Sequence, residues 1–117
     1  MKINILKEKS YKFALRVVKL FQFLSVEKKE YVLSKQILRS GTSIGANIEE
    51  AYQGESKADF IHKLAIANKE AFETHYWLRL FRDSSILEIK IAESIMADCD
   101  EIQRMLVAAI KTAKSRR

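Results

Sequence analysis

Proline is absent from the 117-residue sequence, and glycine occurs only three times. These two residues supply many of the backbone conformations that sharp turns require, so their scarcity indicates few turns and long helices. The only cysteine, Cys99, has no partner for an internal disulfide, which agrees with a reducing compartment. The sequence therefore favours an all-α protein, and we expect a chain of this length to form one domain over residues 1–117.

Long apolar runs are also missing. No stretch approaches the roughly 18 uninterrupted apolar residues that a membrane-spanning helix needs. The opening segment, MKINILK, contains neither a long apolar stretch nor a small-residue cleavage site, so it does not resemble a signal peptide. We therefore expect a cytoplasmic protein that has no membrane partner.

Charge is plentiful but unevenly distributed. The net charge is +6, from 21 Lys and Arg against 15 Asp and Glu. Residues 1–48 carry ten basic against three acidic residues, residues 49–101 carry six against twelve, and residues 102–117 carry five against none. Basic ends around an acidic middle suit nucleic-acid contact, and they equally suit head-to-tail packing of identical subunits.

Hydrophobic periodicity predicts four helices, at about residues 10–24, 28–53, 57–82 and 88–114. The third and fourth helices carry apolar seams at alternating spacings of four and three residues, which begin at Phe60 and Ala92. Ser56 followed by Asp59 is typical of a helix start. Short connections between helices of this length force neighbouring helices to run in opposite directions. We therefore expect an antiparallel up-down four-helix bundle.

Two glycines, Gly41 and Gly45, lie inside the second predicted helix. Each costs about 1 kcal/mol relative to alanine in a helix interior, and close approach of another backbone is the usual reason for accepting that cost. A polar row follows the same helix at Ser40, Ser43, Asn47 and Glu50. The segment predicts a tight helix contact, either within the bundle or between subunits, and a ligand or nucleic-acid site is the alternative.

No constellation of residues indicates catalysis. Di-iron bundles need a Glu-x-x-His on each of two helices, whereas this sequence has a single acid-x-x-His, from Asp59 to His62. Cys99 occupies a seam position that is typical of a buried structural thiol, and His75 suits an interface or boundary position better than the role of a base. We expect a protein that is not an enzyme and that has no catalytic residues, no metal site and no cofactor.

Three segments form a distinctive set: SIGANIEEA at 43–51, KADF at 57–60 and KEAxETxYWL at 69–78. They resemble the four helix bundle protein family, also called the 23S rRNA intervening-sequence proteins, some of which are encoded inside insertions in bacterial 23S rRNA genes. The resemblance covers nearly the whole chain. Many relatives carry proline where this chain has Gly45 and glycine where it has Ala51.

The resemblance implies a bacterial protein that assembles into a ring-shaped homopentamer. A related group, the accessory proteins of diversity-generating retroelements, works with a reverse transcriptase through basic surfaces that contact nucleic acid. No catalytic residues carry over from the family. The candidate partners that the resemblance implies are therefore further copies of the chain, RNA or DNA, and a reverse transcriptase or another protein.

Taken together, the residues favour nucleic-acid binding, with structured RNA as the expected ligand. The predicted contact is a basic row on the first helix, assisted by the C-terminal tail: Lys9, Lys12, Arg16 and Lys19, with Lys111, Lys114, Arg116 and Arg117. The alternative is a structural or protein-interaction module that does not bind nucleic acid. With either function we expect a homo-oligomer, with a pentamer favoured, whose close helix contacts or subunit interface include the aromatic group Phe72, Tyr76 and Trp77.

Overall fold

The computed structural model describes residues 4–116, which form four α-helices and, within that range, no β-strand. The helices are α1 (Ile5–Val26), α2 (Leu33–Ala51), α3 (Lys57–Asp83) and α4 (Ile89–Ser115). The all-α fold predicted from the sequence is confirmed. None of the helices in the described range combines the length and the apolar character needed to cross a lipid bilayer.

The first helix is longer than the sequence indicated, beginning at Ile5 instead of near residue 10 and ending at Val26. Asn4 causes the early start, because its Oδ1 atom accepts a hydrogen bond from the Lys7 backbone N–H at 3.0 Å. This bond satisfies one of the backbone donors that every helix start leaves unpaired. The added length buries Leu6 in the core.

The second helix is shorter than predicted, spanning Leu33–Ala51 instead of residues 28–53. Residues 27–32 form a connection in which Lys29 adopts a positive φ of 52°. Glu30 then fixes the helix start: its Oε1 atom accepts from the Ser34 N–H at 2.8 Å, and its backbone oxygen accepts from the Ser34 hydroxyl at 2.6 Å. The segment EKKE therefore precedes the helix, although its residues are all good helix formers.

The third and fourth helices lie within one residue of their predicted bounds. Ser56 caps α3 as expected, since its Oγ atom accepts from the Asp59 N–H at 3.1 Å. The predicted apolar seams are buried along most of both helices. Their buried members are Leu64, Ala67, Ala71, Thr74, Leu78 and Phe81 on α3, and Ala92, Ile95, Cys99, Ile102 and Leu106 on α4.

The helices surround a single apolar core. Each helix packs against its neighbours in the chain, and α1 also meets α4, whereas within residues 4–116 α1 stays apart from α3 and α2 from α4. The pair α1 and α2 therefore lies on the opposite side of the bundle from the pair α3 and α4. The contact between α1 and α4, here called the α1–α4 seam, is the least extensive of the four.

Candidate nucleic-acid and subunit interfaces

The basic row of α1 lies along the α1–α4 seam, where it meets acidic side chains of α4. Lys9 Nζ lies 3.0 Å from Glu101 Oε1, and Arg16 Nη1 lies 2.7 Å from Asp98 Oδ2. Arg16 Nη2 also donates to the Ser94 hydroxyl at 2.8 Å. Because these two cations already have partners, a nucleic-acid phosphate would have to displace a carboxylate in order to bind them.

The other two members of the row are more accessible. Lys12 pairs with Glu8 on the preceding turn of α1 at 3.1 Å, and both side chains are at least half exposed. Exposed pairs of this kind contribute only about 0–1 kcal/mol. Lys19 is exposed and forms no ion pair with the described residues. The row is thus a partly neutralised surface, and sequence reasoning missed its acidic partners because they lie 82 and 92 residues further along the chain.

The end of α4 forms a second basic surface. Lys111, Lys114 and Arg116 are exposed there, and none of them joins an ion pair among residues 4–116. No acidic residue follows Glu101 in the sequence. Arg117, the last residue of the predicted tail, lies outside the described residues. This basic end of α4 therefore carries more uncompensated positive charge than the row on α1.

Gly41 and Gly45 lie where α2 packs against α1. A Cβ atom at Gly41 would lie 2.8 Å from both γ-methyl groups of Val17, and a Cβ atom at Gly45 would lie 3.3 Å from the Ser10 carbonyl oxygen. Both distances are shorter than ordinary contact between carbon and its neighbours. The two glycines therefore allow α1 and α2 to pack closely within one bundle.

The polar row of α2 bonds within the molecule. Asn47 Nδ2 donates to the Ser43 backbone oxygen at 2.9 Å and to the Ser43 hydroxyl at 3.1 Å. Glu50 lies nearer the end of the helix, where its Oε1 atom is 3.0 Å from Lys63 Nζ on α3. The fourth member, Ser40, accepts a hydrogen bond from the Thr74 hydroxyl on α3 at 2.9 Å. These contacts hold α2 to α3 and account for the polar residues without a ligand.

A charged cluster joins α2 to α3. Arg39 Nη1 lies 3.1 Å from Glu70 Oε2, and Arg39 Nη2 donates to Glu73. Trp77 Nε1 donates to the same Glu73 oxygen at 3.0 Å. Burial disfavours the charged form of Glu73, but the hydrogen bonds from Arg39 and Trp77 outweigh it and lower the pKa of this carboxyl. The position of Trp77 is therefore explained by contacts inside the bundle.

Two open grooves lie on opposite sides of the bundle. The first, called the α1/α2 groove, has a volume of about 440 Å³ and is lined by Tyr11, Ala14, Thr42, Gly45, Ala46 and Glu49. The second, called the α3/α4 groove, also has a volume of about 440 Å³, and its lining includes Asn68, Phe72, His75, Asp100, Arg104 and Val107. Each groove lies between two helices that share one face of the bundle. Different neighbouring molecules can therefore occupy the two grooves.

Large apolar side chains are exposed on both faces. Tyr11 and Leu15 on α1 are 62% and 49% exposed, while Phe72 on α3 and Val107 on α4 are 64% and 53% exposed. Clustered exposure of this kind is typical of surfaces that bind another macromolecule. The sequence singled out Phe72 but missed the other three. The sequence signal that could have found Tyr11 and Leu15 is their spacing of one helical turn, on the side of α1 that faces away from its buried residues.

The α3/α4 groove also contains polar groups. His75 Nε2 lies 3.2 Å from Asp100 Oδ1, and Arg104 lies on the same helix as Asp100, one turn further on. The Asn68 Oδ1 atom is buried, yet it has no hydrogen-bond partner in the described part of the chain. Tyr76, the other aromatic residue that the sequence singled out, is exposed, and Arg79 lies over its ring at 5.5 Å.

Cys99 is fully buried in the core, where its Sγ atom donates to the Ala71 carbonyl oxygen at 3.3 Å. Burial raises the pKa of this thiol to about 12, with a smaller contribution from the neighbouring Asp100 and Asp98. The reactive form of cysteine is the thiolate, so this side chain has the properties of a structural residue. Among residues 4–116, no group of three or more His, Cys, Asp and Glu side chains could hold a metal ion.

The family model of the 23S rRNA-intervening sequence protein matches residues 2–108 of the chain. The chain belongs to this family. The resemblance seen in the sequence is thereby confirmed. A similar solved structure is that of a protein of unknown function from the S23 ribosomal protein family of Bacteroides thetaiotaomicron; it is 56% identical, the match covers 95% of this chain and 99% of the other, and the TM-score is 0.92. No curated protein matches the chain.

Membership of the 23S rRNA-intervening sequence proteins agrees with the four helices seen here, because the Bacteroides protein has the same fold over almost its whole length. The function of that neighbour is unknown. The functional argument for this member of the family therefore rests on its surfaces: the two grooves and the basic end of α4.

Proposed function

We propose that this protein is a non-enzymatic four-helix module that self-associates. The observation that carries the proposal is the exposure of large apolar side chains on two opposite faces, by Tyr11 and Leu15 on one and by Phe72 and Val107 on the other. Covering such side chains removes apolar surface from water, which stabilises a complex by about 25 cal/mol for each Å² before the costs of association. A second copy of the chain offers both faces at once.

An up-down arrangement of the helices is part of this proposal. It is supported by contacts that pair in opposite order along neighbouring helices. Across α3 and α4, Arg82 lies 3.9 Å from Glu93, whereas His75, earlier on α3, lies 3.2 Å from Asp100, later on α4. In an up-down bundle the apolar faces extend along the full length of paired helices, which gives each subunit two elongated surfaces.

The two faces differ in their residues, so a contact between them is heterologous. Subunits that are joined repeatedly through one heterologous contact form either a closed ring or an open filament. We propose the closed form, a ring-shaped homopentamer, which is the assembly implied by the family resemblance. Light scattering on the wild-type protein at micromolar concentration should give about five times the 13.5 kDa mass of one chain. A 13.5 kDa species at every concentration would contradict the proposal.

The lack of enzymatic activity is proposed because the one nucleophile of high intrinsic reactivity, Cys99, is buried in the core with a raised pKa. The α3/α4 groove contains a His–Asp pair, His75 and Asp100. Within the described part of the chain, no serine or cysteine lines this groove beside the pair. Covalent catalysis requires a nucleophile within hydrogen-bond reach of its base. A binding role fits these surfaces better.

Nucleic-acid binding is a second candidate function, favoured by the basic end of α4. Lys111, Lys114 and Arg116 are exposed and not engaged by described carboxylates. Copies of this surface in a homo-oligomer would act together, so that several weak phosphate contacts give useful affinity. The accessible members of the α1 row, Lys12 and Lys19, would extend the positive surface.

The test replaces Lys111, Lys114 and Arg116 by Gln together and measures binding to structured RNA and duplex DNA across a salt series. A matched control replaces three exposed lysines elsewhere: Lys35, Lys69 and Lys90. The α4 variant should lose affinity and reduce the magnitude of the salt slope by about 2 to 3, while the control should change both much less. No salt-dependent binding by the wild-type protein would exclude this function, and equal losses in the two variants would exclude the basic end of α4 as the binding surface.

A further inference from the structure

One end of the bundle has an open pocket to which the ends of all four helices contribute, here called the end pocket. Its volume is about 650 Å³, and its apolar lining includes Ile5, Tyr52, Phe60, Ala109 and Ala113. Ile5 and Tyr52 are 54% and 40% exposed. Pockets that bind small organic groups typically have volumes of about 300–1,000 Å³ and mostly apolar walls. The end pocket therefore has the size and the lining to take up a planar ring.

Two aromatic rings form part of the wall of this pocket. The rings of Tyr52 and Phe60 meet edge to face, with their centroids 5.2 Å apart. The Lys7 ammonium lies 6.0 Å from the centre of the Tyr52 ring, and it also pairs with Glu49 at 3.5 Å. Because these contacts hold the Tyr52 side chain in place while part of it stays exposed, it resembles the aromatic residues on which proteins stack unpaired nucleobases.

The charge at the end pocket is positive. Arg116 lines the pocket, and among residues 4–116 no acidic side chain does. Arg116 is also part of the basic end of α4, where Lys114 and Lys111 lie two and five residues before it. A separate acidic groove, which includes Glu55 and Asp59, shares no lining residue with the end pocket. We therefore expect a chain of phosphates that reaches the pocket to run over α4, which attracts it, and away from the acidic groove.

We propose that the end pocket binds an unpaired nucleobase while the basic end of α4 binds the flanking phosphates. The inference rests on the proposed nucleic-acid binding and specifies which part of the ligand is recognised: a single strand, or the loop of a structured RNA. Bases in a duplex are paired and stacked, so they enter a pocket only after costly extrusion. An unpaired base offers its ring without that cost. Stacking accepts every base, so the preference for sequence should be weak.

The test compares two strands that differ only in their bases. One probe is an oligodeoxyadenylate, and the other is a strand of the same length and phosphate number whose units are abasic. The wild-type protein should bind the adenine strand roughly 5- to 150-fold more tightly, which is the contribution expected from stacking on an aromatic side chain. Tyr52→Leu removes the ring but keeps an apolar side chain. It should abolish this difference and leave the affinity for the abasic strand unchanged.

Three further variants serve as controls, and circular dichroism checks that each one is folded. Tyr52→Phe keeps the ring and should retain the preference for the adenine strand. Tyr31→Leu makes the matched change at an exposed tyrosine near the opposite end of α2, and it should also retain the preference. Arg116→Gln should weaken the binding of both strands equally and reduce the magnitude of the salt slope by about 1, because it removes one phosphate contact.

Failure of this inference can be told apart from failure of nucleic-acid binding. Equal affinity of the wild-type protein for the two strands, or a preference for adenine that Tyr52→Leu leaves intact, would overturn base binding in the end pocket while phosphate binding by α4 stands. A smaller mass of Tyr52→Leu in light scattering would assign the pocket to a second copy of the chain and would also overturn the inference. If the wild-type protein binds no nucleic acid at all, both proposals are excluded together.

Discussion

Val17 leaves no room for a methyl group at Gly41, where a Cβ atom would lie 2.8 Å from both of its γ-methyl groups. In a helix, valine holds one strongly preferred rotamer, so its methyl groups cannot move aside easily. At Gly45 the nearest atom is the backbone oxygen of Ser10, which moves only with α1 itself. The close packing of α1 on α2 therefore depends on two missing side chains.

Gly41→Ala should lower the free energy of unfolding by about 1–2 kcal/mol, because overpacking outweighs the gain in helix propensity. Gly45→Leu should lower it by more, since a backbone atom opposes the new side chain. Denaturant unfolding at a fixed protein concentration measures both. The exposed Ala97→Gly on α4 is the control and should cost about 1 kcal/mol through propensity alone. A more stable Gly41→Ala protein would show that the helices can separate freely at this point.

Cys99 has a pKa of about 12 because it is buried in the core. At pH 8 only about one thiol in ten thousand is then ionised, and the side chain is shielded from solvent as well. We expect a thiol reagent such as DTNB to leave the folded protein unmodified for as long as it stays folded, and to react with one thiol per chain in denaturant. Rapid modification under native conditions would mean that the core opens at this position.

At the scale of helices, the Arg39–Glu73–Trp77 cluster is one of two charged links between α2 and α3, the other being Glu50 with Lys63. The folded protein lowers the pKa of Glu73, so the deprotonated form is bound more strongly by the folded state than by the unfolded state. The contribution of Glu73 to the free energy of unfolding is fully present above its pKa in the unfolded chain, about 4.3. This contribution is lost as the pH falls through the lower pKa that Glu73 has in the folded protein. Because Glu73 is one-third exposed, screening by water keeps the contribution small.

Glu73→Gln retains acceptors for Arg39 and Trp77 but removes the charge. At pH 7 it should lower the free energy of unfolding by about 0.5–1 kcal/mol. The difference from wild type should shrink as the pH falls below about 4, where Glu73 of the wild-type protein also becomes protonated. Unfolding curves from pH 7 to pH 3 measure it, with the exposed Glu93→Gln as control. A difference that is constant over this range would indicate a packing effect instead.

The helices themselves were largely predictable from the sequence, because their apolar seams have a strict period and Ser56 marks a helix start. The bounds of α1 and α2 were not. Asn4 through one hydrogen bond and Glu30 through two determine where these helices start, and periodicity does not detect such bonds. The acidic partners of Lys9 and Arg16 could not be predicted either, because they depend on which helix α1 faces in the folded bundle.

At the scale of the whole molecule, the proposed function depends on two opposite faces of the bundle. The sequence identified Phe72 as a candidate interface residue, but Tyr11, Val107 and Asn68 became visible only when the helices were placed around one core. Each lies outside the buried seam of its helix, and a single exposed apolar or amide residue has no distinctive pattern in a sequence. Surfaces shared by two helices are properties of the fold, and they are assembled from residues far apart in the chain.

The α1–α4 seam joins the first helix of the chain to the last, and two partly exposed ion pairs cross it, Lys9 with Glu101 and Arg16 with Asp98. Contacts between distant residues have the largest loop-closure entropy to overcome, so they form late unless strong apolar burial rewards them earlier. Folding should therefore begin with α2 and α3, whose contact is local and extensive, and end with the docking of α1 against α4. In stopped-flow experiments at a protein concentration too low for self-association, Arg16→Ala should accelerate unfolding and leave the folding rate nearly unchanged. A slower folding rate with an unchanged unfolding rate would show that the contact between α1 and α4 forms early in folding.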